Sequence, residues 1–412
     1  MRLTTAWSDR VLSRLDDRLS AGASWPVALA LSGGGDSIAL LHLAAGWAQR
    51  RRRRILALTV DHGLNPDSRR WCDLARDAAT RLGADWLGLD WTGPKPSSGL
   101  PAAARAARHD LLADAARAAG ARVILMAHTA SDIAESDWMR KAGTPLGQLR
   151  DWTPSPAWPE GRGLMLLRPL LDVDRQTLRA FLSDQSADWV EDPANTDLRF
   201  HRSRARAAAP ASPPATTPPS LAPLDLAVEP GSGLITGPLD SPWLGHAVAC
   251  ASGRQALPTV DRIAALKERL RSGGRASLSG ALVTAEDGRA TIAREPGRRP
   301  PLRLSLPVHQ ETVWDGRFVF RASRPGWQIA AAAGHRAGLS DADRATLNRL
   351  PAAARAVHPV LFREDEPRPL LAGEGVEAHC LVSDRLRLAC GGARCEDDVE
   401  SPPWRGLLRR PI

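Results

Sequence analysis

Residues 27–43 read VALALSGGGDSIALLHL, which is an apolar run, a loop of three glycines between serines, and a second apolar run with helical spacing. Successive glycines let backbone N–H groups turn toward an anion, and the N-terminus of the following helix adds about half a positive charge behind them. We therefore predict strand, loop and helix in that order, with a phosphate-binding loop between the strand and the helix. A Walker loop is excluded because no Gly-Lys-Ser/Thr follows the glycines, and the Rossmann glycine spacing does not fit either. The members of the predicted loop are Ser32, Gly33, Gly34, Gly35, Asp36 and Ser37.

Short apolar runs continue to alternate with longer amphipathic runs as far as residue 170. Because parallel neighbouring strands need crossover connections, this alternation predicts an α/β fold with a parallel, doubly wound sheet and helices on both faces. Ligands of such sheets bind beyond the carboxyl ends of the strands, here after residues 31, 60 and 127. The predicted strands are Val27–Leu31, Ile55–Val60, Trp86–Trp91, Val123–Ala127 and Leu164–Leu167, and the predicted helices are Ile38–Arg50, Ser68–Leu82, Ala102–Ala119 and Asp174–Gln185.

The length of 412 residues is too great for one compact core and predicts two or three domains. We predict a catalytic domain at 1–206, a Pro/Ala-rich linker at 207–223, a small helical plus hairpin domain at 224–300, and a mixed C-terminal domain at 301–412. Clustered acid, histidine or cysteine chemistry is lacking in the second half of the sequence. We therefore expect this smaller α+β region to serve in binding or packing.

The charge balance favours a polyanionic partner. Lys+Arg 55 against Asp+Glu 46 gives a net charge of +9 and a pI near 10.4. Nearly all of the basic residues are arginines, and the base composition of the coding sequence is an alternative explanation for this preference. No apolar stretch approaches the roughly 18 residues that span a bilayer, and five cysteines without close pairing form neither a disulfide framework nor a CxxC motif. We expect a cytoplasmic protein with no membrane segment.

Asp36 is an unusual residue for a phosphate-binding loop. A carboxylate there repels the anion unless a cation intervenes, so Asp36 predicts Mg²⁺ bridging its carboxylate and the phosphates. The alternative interpretation is a glycine-rich strand-to-helix turn with Asp36 and Ser37 near the helix start.

Polar residues follow two further predicted strands. Asp61 and His62 come directly after the second strand, and their position beside the phosphate-binding loop favours a functional role over a turn and cap role. His128 follows the fourth strand, with Asp132 and Glu135 three residues apart on one helix face. Such a carboxylate pair can hold Mg²⁺ or an ammonium group, and a solvated acidic helix start is the alternative.

Two sets of arginines are candidates for contacts with nucleic acid. Arg105 and Arg108 share a helix face and fit either a fork onto phosphate or a solvated basic stripe. The acidic turn Glu191–Asp197 leads into an arginine run that suits an RNA backbone, although an Asx-rich turn before a basic helix needs no function. The candidates in this segment are Asn195, Arg202 and Arg204.

The stretch Gly143–Gly163 is long for a loop within a compact domain, and this length favours a functional role. It holds Trp152 and Trp158, which either stack on unpaired bases or are buried against the domain.

The glycine loop at residues 32–37 resembles the pyrophosphate loop of the N-type ATP pyrophosphatases, the PP-loop superfamily. Further motifs make residues 25–206 resemble the bacterial tRNA(Ile)-lysidine synthases in particular, and the likeness continues faintly in Gly274–Glu295. These motifs are VDHGL at 60–64, ARAAR at 104–108, AHTA at 127–130, RPLL at 168–171 and EDPANTD at 191–197. The chain departs from the family pattern at Ser131, where an aspartate is usual, at His109, where a tyrosine is usual, and in the rewritten stretch 141–152.

The resemblance implies a ligase that uses ATP and Mg²⁺ to activate the wobble cytidine of a minor isoleucine tRNA, after which free L-lysine displaces AMP to give lysidine. It implies catalytic roles for Asp36, Asp132, Glu135 and His128, ATP binding by residues 32–37 with Asp61 and His62, metal binding by Asp36, and tRNA binding by Arg105, Arg108, Asn195, Arg202 and Arg204. The C-terminal domain is expected to bind tRNA, and a homodimer is an open expectation. Two alternatives are another PP-loop tRNA-modifying enzyme, such as a thiolase, and a tRNA-binding pseudoenzyme.

Overall fold

The computed structural model describes residues 6–141, 149–191, 222–297, 301–365 and 368–399. The chain forms two compact units, of which the first contains residues 1–220 and 393–400 and the second contains 221–392 and 401–412. The predicted boundary at residue 300 falls inside the second unit, since a single hydrophobic core there extends from Leu226 to Cys390. The predicted linker, 207–223, lies outside the described residues except for its last two.

The first unit is built on a six-stranded sheet with the strand order β3-β2-β1-β4-β6-β5. Strands β1, β2, β3, β4 and β6 are parallel, and β5 pairs antiparallel with β6 at one edge. The five predicted strands are confirmed with small shifts of their ends, whereas β5 lies in a stretch for which the sequence predicts a loop. The strands are β1 Val27–Ala30, β2 Ile55–Asp61, β3 Asp85–Asp90, β4 Val123–Leu125, β5 Trp152–Pro154 and β6 Met165–Leu167.

The helices of the first unit cover both faces of this sheet. Alternate residues of β1 point to opposite sides: Val27 and Leu29 pack with α1, α2, α3 and α6, whereas Ala28 packs with Leu58 of β2 and Leu112 of α4. The predicted doubly wound α/β fold is therefore confirmed. The helices are α1 Ala6–Arg18, α2 Gly35–Arg51, α3 Ser68–Arg81, α4 Leu100–Ala118, α5 Ala130–Lys141 and α6 Arg175–Asp184.

A short C-terminal segment, Ala393–Val399, also belongs to the first unit. Its Glu396 is fully buried and accepts two hydrogen bonds from the Arg53 guanidinium, at 2.8 and 3.0 Å. The backbone N–H of Ser20 and the indole N–H of Trp25 donate to the same carboxylate at 2.9 and 2.8 Å. Four donors thus satisfy a carboxylate that would otherwise be costly to bury.

The second unit contains a five-stranded antiparallel sheet, β7-β8-β11-β10-β9, and two three-stranded sheets, β12-β15-β16 and β13-β14-β17. The predicted hairpin around Glu286-Asp287-Gly288 is confirmed, and Asp287 and Gly288 both have positive φ, as a tight two-residue turn requires. None of the described helices is both long and apolar enough to cross a membrane.

Short strands and helices build these sheets and their surroundings. The strands are β7 Ala227–Glu229, β8 Leu234–Pro238, β9 Gly274–Leu278, β10 Ala281–Glu286, β11 Arg289–Arg294, β12 Leu304–Ser305, β13 Glu311–Trp314, β14 Phe318–Ala322, β15 Trp327–Ala331, β16 Pro359–Arg363 and β17 Val376–Cys380. The helices are α7 Leu244–Ser252, α8 Val260–Leu270, α9 Asp341–Asn348, α10 Ala352–Arg355 and α11 Val382–Ala389.

Candidate active site

The glycine loop connects β1 to α2 as predicted, and its serines hold it in shape. The Ser37 hydroxyl donates to the Gly34 carbonyl at 2.8 Å and lies 3.1 Å from the Ser32 hydroxyl. Gly34 is the N-cap residue of α2. Because glycine has no side chain, no side chain at this position caps the start of the helix. The start of α2 is therefore a place where an anion would meet the positive end of the helix dipole.

Trp189 and Val190 lie against the other side of this loop. The Val190 N–H donates to the Gly33 carbonyl at 2.9 Å, and a Cβ placed on Gly35 would lie 3.3 Å from the Trp189 ring. A side chain at residue 35 would therefore make a tight contact with the Trp189 ring. Sequence reasoning missed both residues, although they directly precede the acidic turn that it identified.

Three predicted carboxylates converge on one arginine that the sequence analysis did not identify. Arg175 donates to Asp36 at 2.9 Å, to Glu135 at 3.3 Å and to Asp132 at 3.4 Å. Arg175 is the first residue of α6, where a positive charge is unfavourable to the helix dipole. An arginine at the start of the predicted helix could therefore have indicated that Arg175 has acidic partners elsewhere in the chain.

The environment of Asp132 keeps its carboxylate ionised. Burial by itself would raise the pKa of Asp132, but the charge of Arg175 and two hydrogen bonds from Thr129 oppose burial and lower the pKa. The Thr129 N–H and hydroxyl donate to Asp132 at 2.8 and 3.0 Å. Burial lowers the pKa of the Arg175 guanidinium, yet Asp132, Asp36 and Glu135 raise it overall.

His128 lies beside Arg168, another residue that the sequence analysis did not assign to the site. The Arg168 Nε–H donates to His128 Nδ1 at 3.3 Å. Burial, together with Arg168, lowers the pKa of His128 to about 3, so the ring is neutral at physiological pH. Burial also lowers the pKa of Arg168, to about 10, and this guanidinium therefore remains charged.

Arg105 and Arg108 extend this cationic side of the site. Both are half-buried on α4, which disfavours the solvated stripe, and both are near enough to lower the pKa of His128 and of His109. His109 is buried, and burial is the main reason that its pKa falls to about 3. The site thus has a cationic side and an acidic side, with His128 between them.

Asp61 and His62 lie at the carboxyl end of β2. Asp61 accepts the Gly63 N–H at 2.8 Å, which is the turn contact of the alternative interpretation. The His62 ring packs edge-on against Trp91, with centroids 5.9 Å apart, and burial followed by Arg108 lowers its pKa. ATP binding by these two residues stays a prediction.

The remaining predicted residues fall into two groups. Asn195, Arg202 and Arg204 lie outside the described residues. Trp152 is half-buried on β5 and donates its indole N–H to the Ala393 carbonyl at 2.8 Å, which favours packing over base stacking.

The surroundings of Asp36 fit a magnesium ion shared with a nucleotide. Among the described residues no group of three or more His, Cys, Asp or Glu side chains could hold a metal by itself. Mg²⁺ in nucleotide sites is typically held by one or two carboxylates together with substrate phosphates and water. Asp36, with a quarter of its side chain exposed beside the start of α2, could supply such a carboxylate.

Comparison with known proteins agrees with this geometry. A family model described as a PP-loop domain matches residues 9–210. A tRNA(Ile)-lysidine synthase of Caulobacter vibrioides is 43% identical over 399 residues, which cover 93% of this chain and 97% of the relative. The chain belongs to the tRNA(Ile)-lysidine synthase family.

A second member of the tRNA(Ile)-lysidine synthase family, from Mesorhizobium japonicum, is 33% identical over 419 residues and is aligned over 89% of this chain and 87% of its own length. Among solved structures, a U34-tRNA thiolase of Methanococcus maripaludis has 15% identity and a TM-score of 0.41, and the match covers 49% of this chain and 71% of that one. Membership of the tRNA(Ile)-lysidine synthase family thus extends over both units of the chain.

Proposed function

We propose that this chain is an ATP-dependent ligase that joins L-lysine to the 2-position of the wobble cytidine in a minor isoleucine tRNA with a CAU anticodon. The observation that carries the proposal is the glycine loop at the uncapped start of α2, directly beside three carboxylates gathered around Arg175. The likeness to tRNA(Ile)-lysidine synthases over nearly the whole chain supports the same activity.

The first step is transfer of AMP to the cytidine. The 2-oxygen attacks the α-phosphorus, and pyrophosphate leaves into the N–H groups of the loop 32–37. Donors fixed in advance stabilise the charge that develops on the leaving group. When Mg²⁺ is bound, it supplies additional positive charge at the phosphates, and Asp36 is the residue proposed to hold it.

The second step replaces AMP with the side-chain amine of lysine. The new bond forms between the amine nitrogen and C2 of the cytidine, the bond from C2 to the AMP oxygen breaks, and the amine loses a proton. Asp132 and Glu135 lie on the acidic side of the site, where they suit both an ammonium group and the transfer of that proton. Arg175 has to yield some of its contacts when a ligand cation enters.

The decisive experiment is nucleoside analysis of isoleucine tRNA after incubation of the full chain with ATP and labelled lysine. We expect labelled lysidine at the wobble position. Unlabelled tRNA, under conditions in which a control enzyme converts the same tRNA completely, would refute the proposal.

In a companion assay with tRNA present, Asp36→Ala should abolish ATP–pyrophosphate exchange. Asp85→Ala is the matched control. Asp85 is an exposed carboxylate at the start of β3, away from the carboxyl ends of the strands, and it pairs with Arg54.

The thiolase alternative is less well supported by the cysteines. Cys72 is half-buried on α3, and burial together with Asp61 and Asp90 raises the pKa of its thiol, which disfavours the reactive thiolate. A pseudoenzyme would leave ATP unconsumed when incubated with lysine and tRNA. A homodimer and a cytoplasmic location stay predictions from the sequence.

A further inference from the structure

The contact between Arg168 and His128 restricts where the imidazole can carry its proton. A guanidinium has only N–H donors, so an arginine cannot accept a hydrogen bond. His128 Nδ1, which lies 3.3 Å from Arg168 Nε, must therefore present its lone pair. In a neutral ring the single proton is then on Nε2.

Arg168 is held in place independently of His128. Its Nη1 donates to the Arg150 carbonyl at 2.8 Å and to the Thr153 hydroxyl at 3.0 Å, and its backbone N–H donates to the Asp151 carbonyl at 2.8 Å. The side chain is buried. These contacts attach Arg168 to β5 and the residues before it, so that it cannot turn away from His128 without breaking them.

We propose that Arg168 is a positioning residue that holds His128 as the neutral Nε2–H tautomer, and that His128 donates this hydrogen bond to an oxygen of the reacting α-phosphate. The assignment of the acceptor rests on the proposed function. Strand β4 pairs in parallel with β1, with Ala28 opposite Ile124 and Leu29 opposite Leu125, so the residues that follow β4 lie beside the glycine loop. In the protein alone the carboxylate of Asp132 lies near the ring, and an α-phosphate whose pyrophosphate is in that loop is the ligand group that we assign as the acceptor.

The proposed role agrees with the chemistry of the two steps. During adenylation one P–O bond forms, another breaks, and no proton has to be transferred, so a fixed donor is sufficient. During lysine attack a proton must leave the amine, and an imidazole that already carries its proton on Nε2 and whose Nδ1 accepts a hydrogen bond from Arg168 has no free nitrogen to take it. That proton goes to a carboxylate, for which Asp132 and Glu135 are the nearby candidates. The low pKa of His128 further supports a neutral donor.

The tautomer can be measured directly by ¹⁵N NMR of the histidine side chains in the full chain, without substrate. The chain has ten histidines, and the spectrum of His128→Gln identifies the signals of His128 by their loss. We expect the Nε2–H form in the unsubstituted chain and a mixture of tautomers in Arg168→Met, with Arg168→Lys restoring the single form because it keeps a donor. An Nδ1–H form, or a charged ring at pH 7, would overturn the proposal. The spectrum of the unsubstituted chain decides this point even if Arg168→Met fails to fold.

A kinetic comparison tests the donor role separately. The glutamine amide can place its N–H near the position of Nε2, whereas the asparagine amide reaches only the position of Nδ1. In ATP–pyrophosphate exchange with tRNA, we expect His128→Asn to lose about 100-fold in kcat/KM, as when a donor to a developing charge is removed, and His128→Gln to lose less than about tenfold. Equal losses in the two variants would argue against the donor role. An inactive unsubstituted chain with the Nε2–H tautomer would instead count against the proposed function.

Discussion

Arg175 and Asp36 are 139 residues apart in sequence, yet the guanidinium of one donates to the carboxylate of the other at 2.9 Å. The same guanidinium also contacts Asp132 and Glu135. One arginine therefore shares its single positive charge among the three carboxylates that we assign to the metal and to the amine. Three carboxylates without a nearby cation would repel one another, and Arg175 makes their close approach possible before ligands bind.

The contacts of Arg175 predict a loss of stability in Arg175→Met. Removing the cation leaves three close carboxylates without their shared counter-charge, and we expect the free energy of unfolding to fall by about 2–3 kcal/mol at pH 7, less than the ~3–5 of a fully buried pair. The control is Arg179→Met on the same helix, since Arg179 pairs with Glu191 at the exposed surface. Urea unfolding measures the difference, and equal losses in the two variants would contradict the assigned role of Arg175.

Two adjacent glycines of the loop are predicted to differ in their tolerance of alanine. Gly33 has φ +80°, and a Cβ there would lie 3.2 Å from the Trp71 carbonyl, so we expect Gly33→Ala to cost about 1–2 kcal/mol or more. Gly34 has φ −73°, and its nearest neighbour would be the Ser32 hydroxyl at 3.5 Å, an ordinary contact. Gly34→Ala should therefore be nearly neutral in urea unfolding. The reverse order of stabilities would mean that the loop has a different backbone conformation.

The buried carboxylate of Glu396 predicts that a substitution far along the chain destabilises the first unit. Glu396→Ala leaves the buried charge of Arg53 unpaired, and we expect a loss of about 3–5 kcal/mol. Glu377→Ala is the control, because the pair of Glu377 with Arg321 is exposed and worth only about 0–1 kcal/mol. Hydrogen exchange followed by mass spectrometry should show faster exchange around residues 20–25 in the first variant alone. Unchanged exchange there would show that Glu396 does not hold residues 20–25 in place.

His358 predicts a pH dependence of stability in the second unit. Burial lowers its pKa from 6.5 to about 3, and neither ring nitrogen has a partner among the described residues. Between these pH values the unfolded chain binds the additional proton, so stability is fully present above pH 6.5 and is lost as the pH falls. From pH 6.5 to 4.5 the expected loss is up to about 2–3 kcal/mol for this one group.

The matching variant is His358→Leu, which has no proton to bind at this position. Between pH 6.5 and 4.5 its free energy of unfolding should fall less than that of the unsubstituted chain, and the difference should equal the loss expected for His358. Urea unfolding at both pH values provides the comparison. Parallel pH profiles for the two proteins would show that His358 does not contribute to the acid sensitivity.

Local pattern was sufficient to predict most of the first unit. Strand β1 and helix α2 follow from the apolar spacing on either side of the glycines, and strands β2, β4 and β6 are predictable because each is a short apolar run. Strand β3 mixes apolar and polar residues and is largely exposed, yet its three apolar residues Trp86, Leu87 and Leu89 still indicate a strand. Strand β5 was missed because three residues, Trp152–Pro154, have too little pattern to identify a strand, and only pairing with the distant β6 defines it.

The parts of the site that escaped prediction are those made by contacts between distant segments. Asp36, Asp132 and Glu135 are recognisable from their positions after strands, but nothing near them in sequence indicates Arg175. Trp189 likewise approaches Gly35 only in the folded chain. Residue type and local spacing thus identified the candidate site residues, whereas the residues that contact them from distant segments required the structure.

The pairing of Arg53 with Glu396 also affects the order in which the chain can fold during synthesis. The arginine leaves the ribosome early, and its acceptor follows 343 residues later. Until Glu396 is available, the Arg53 guanidinium has to stay in contact with water, because burying it alone would be costly. The first unit therefore cannot reach its full stability while the second is still being translated. A nascent chain truncated after residue 220 should accordingly be more sensitive to protease than the same residues in the finished protein.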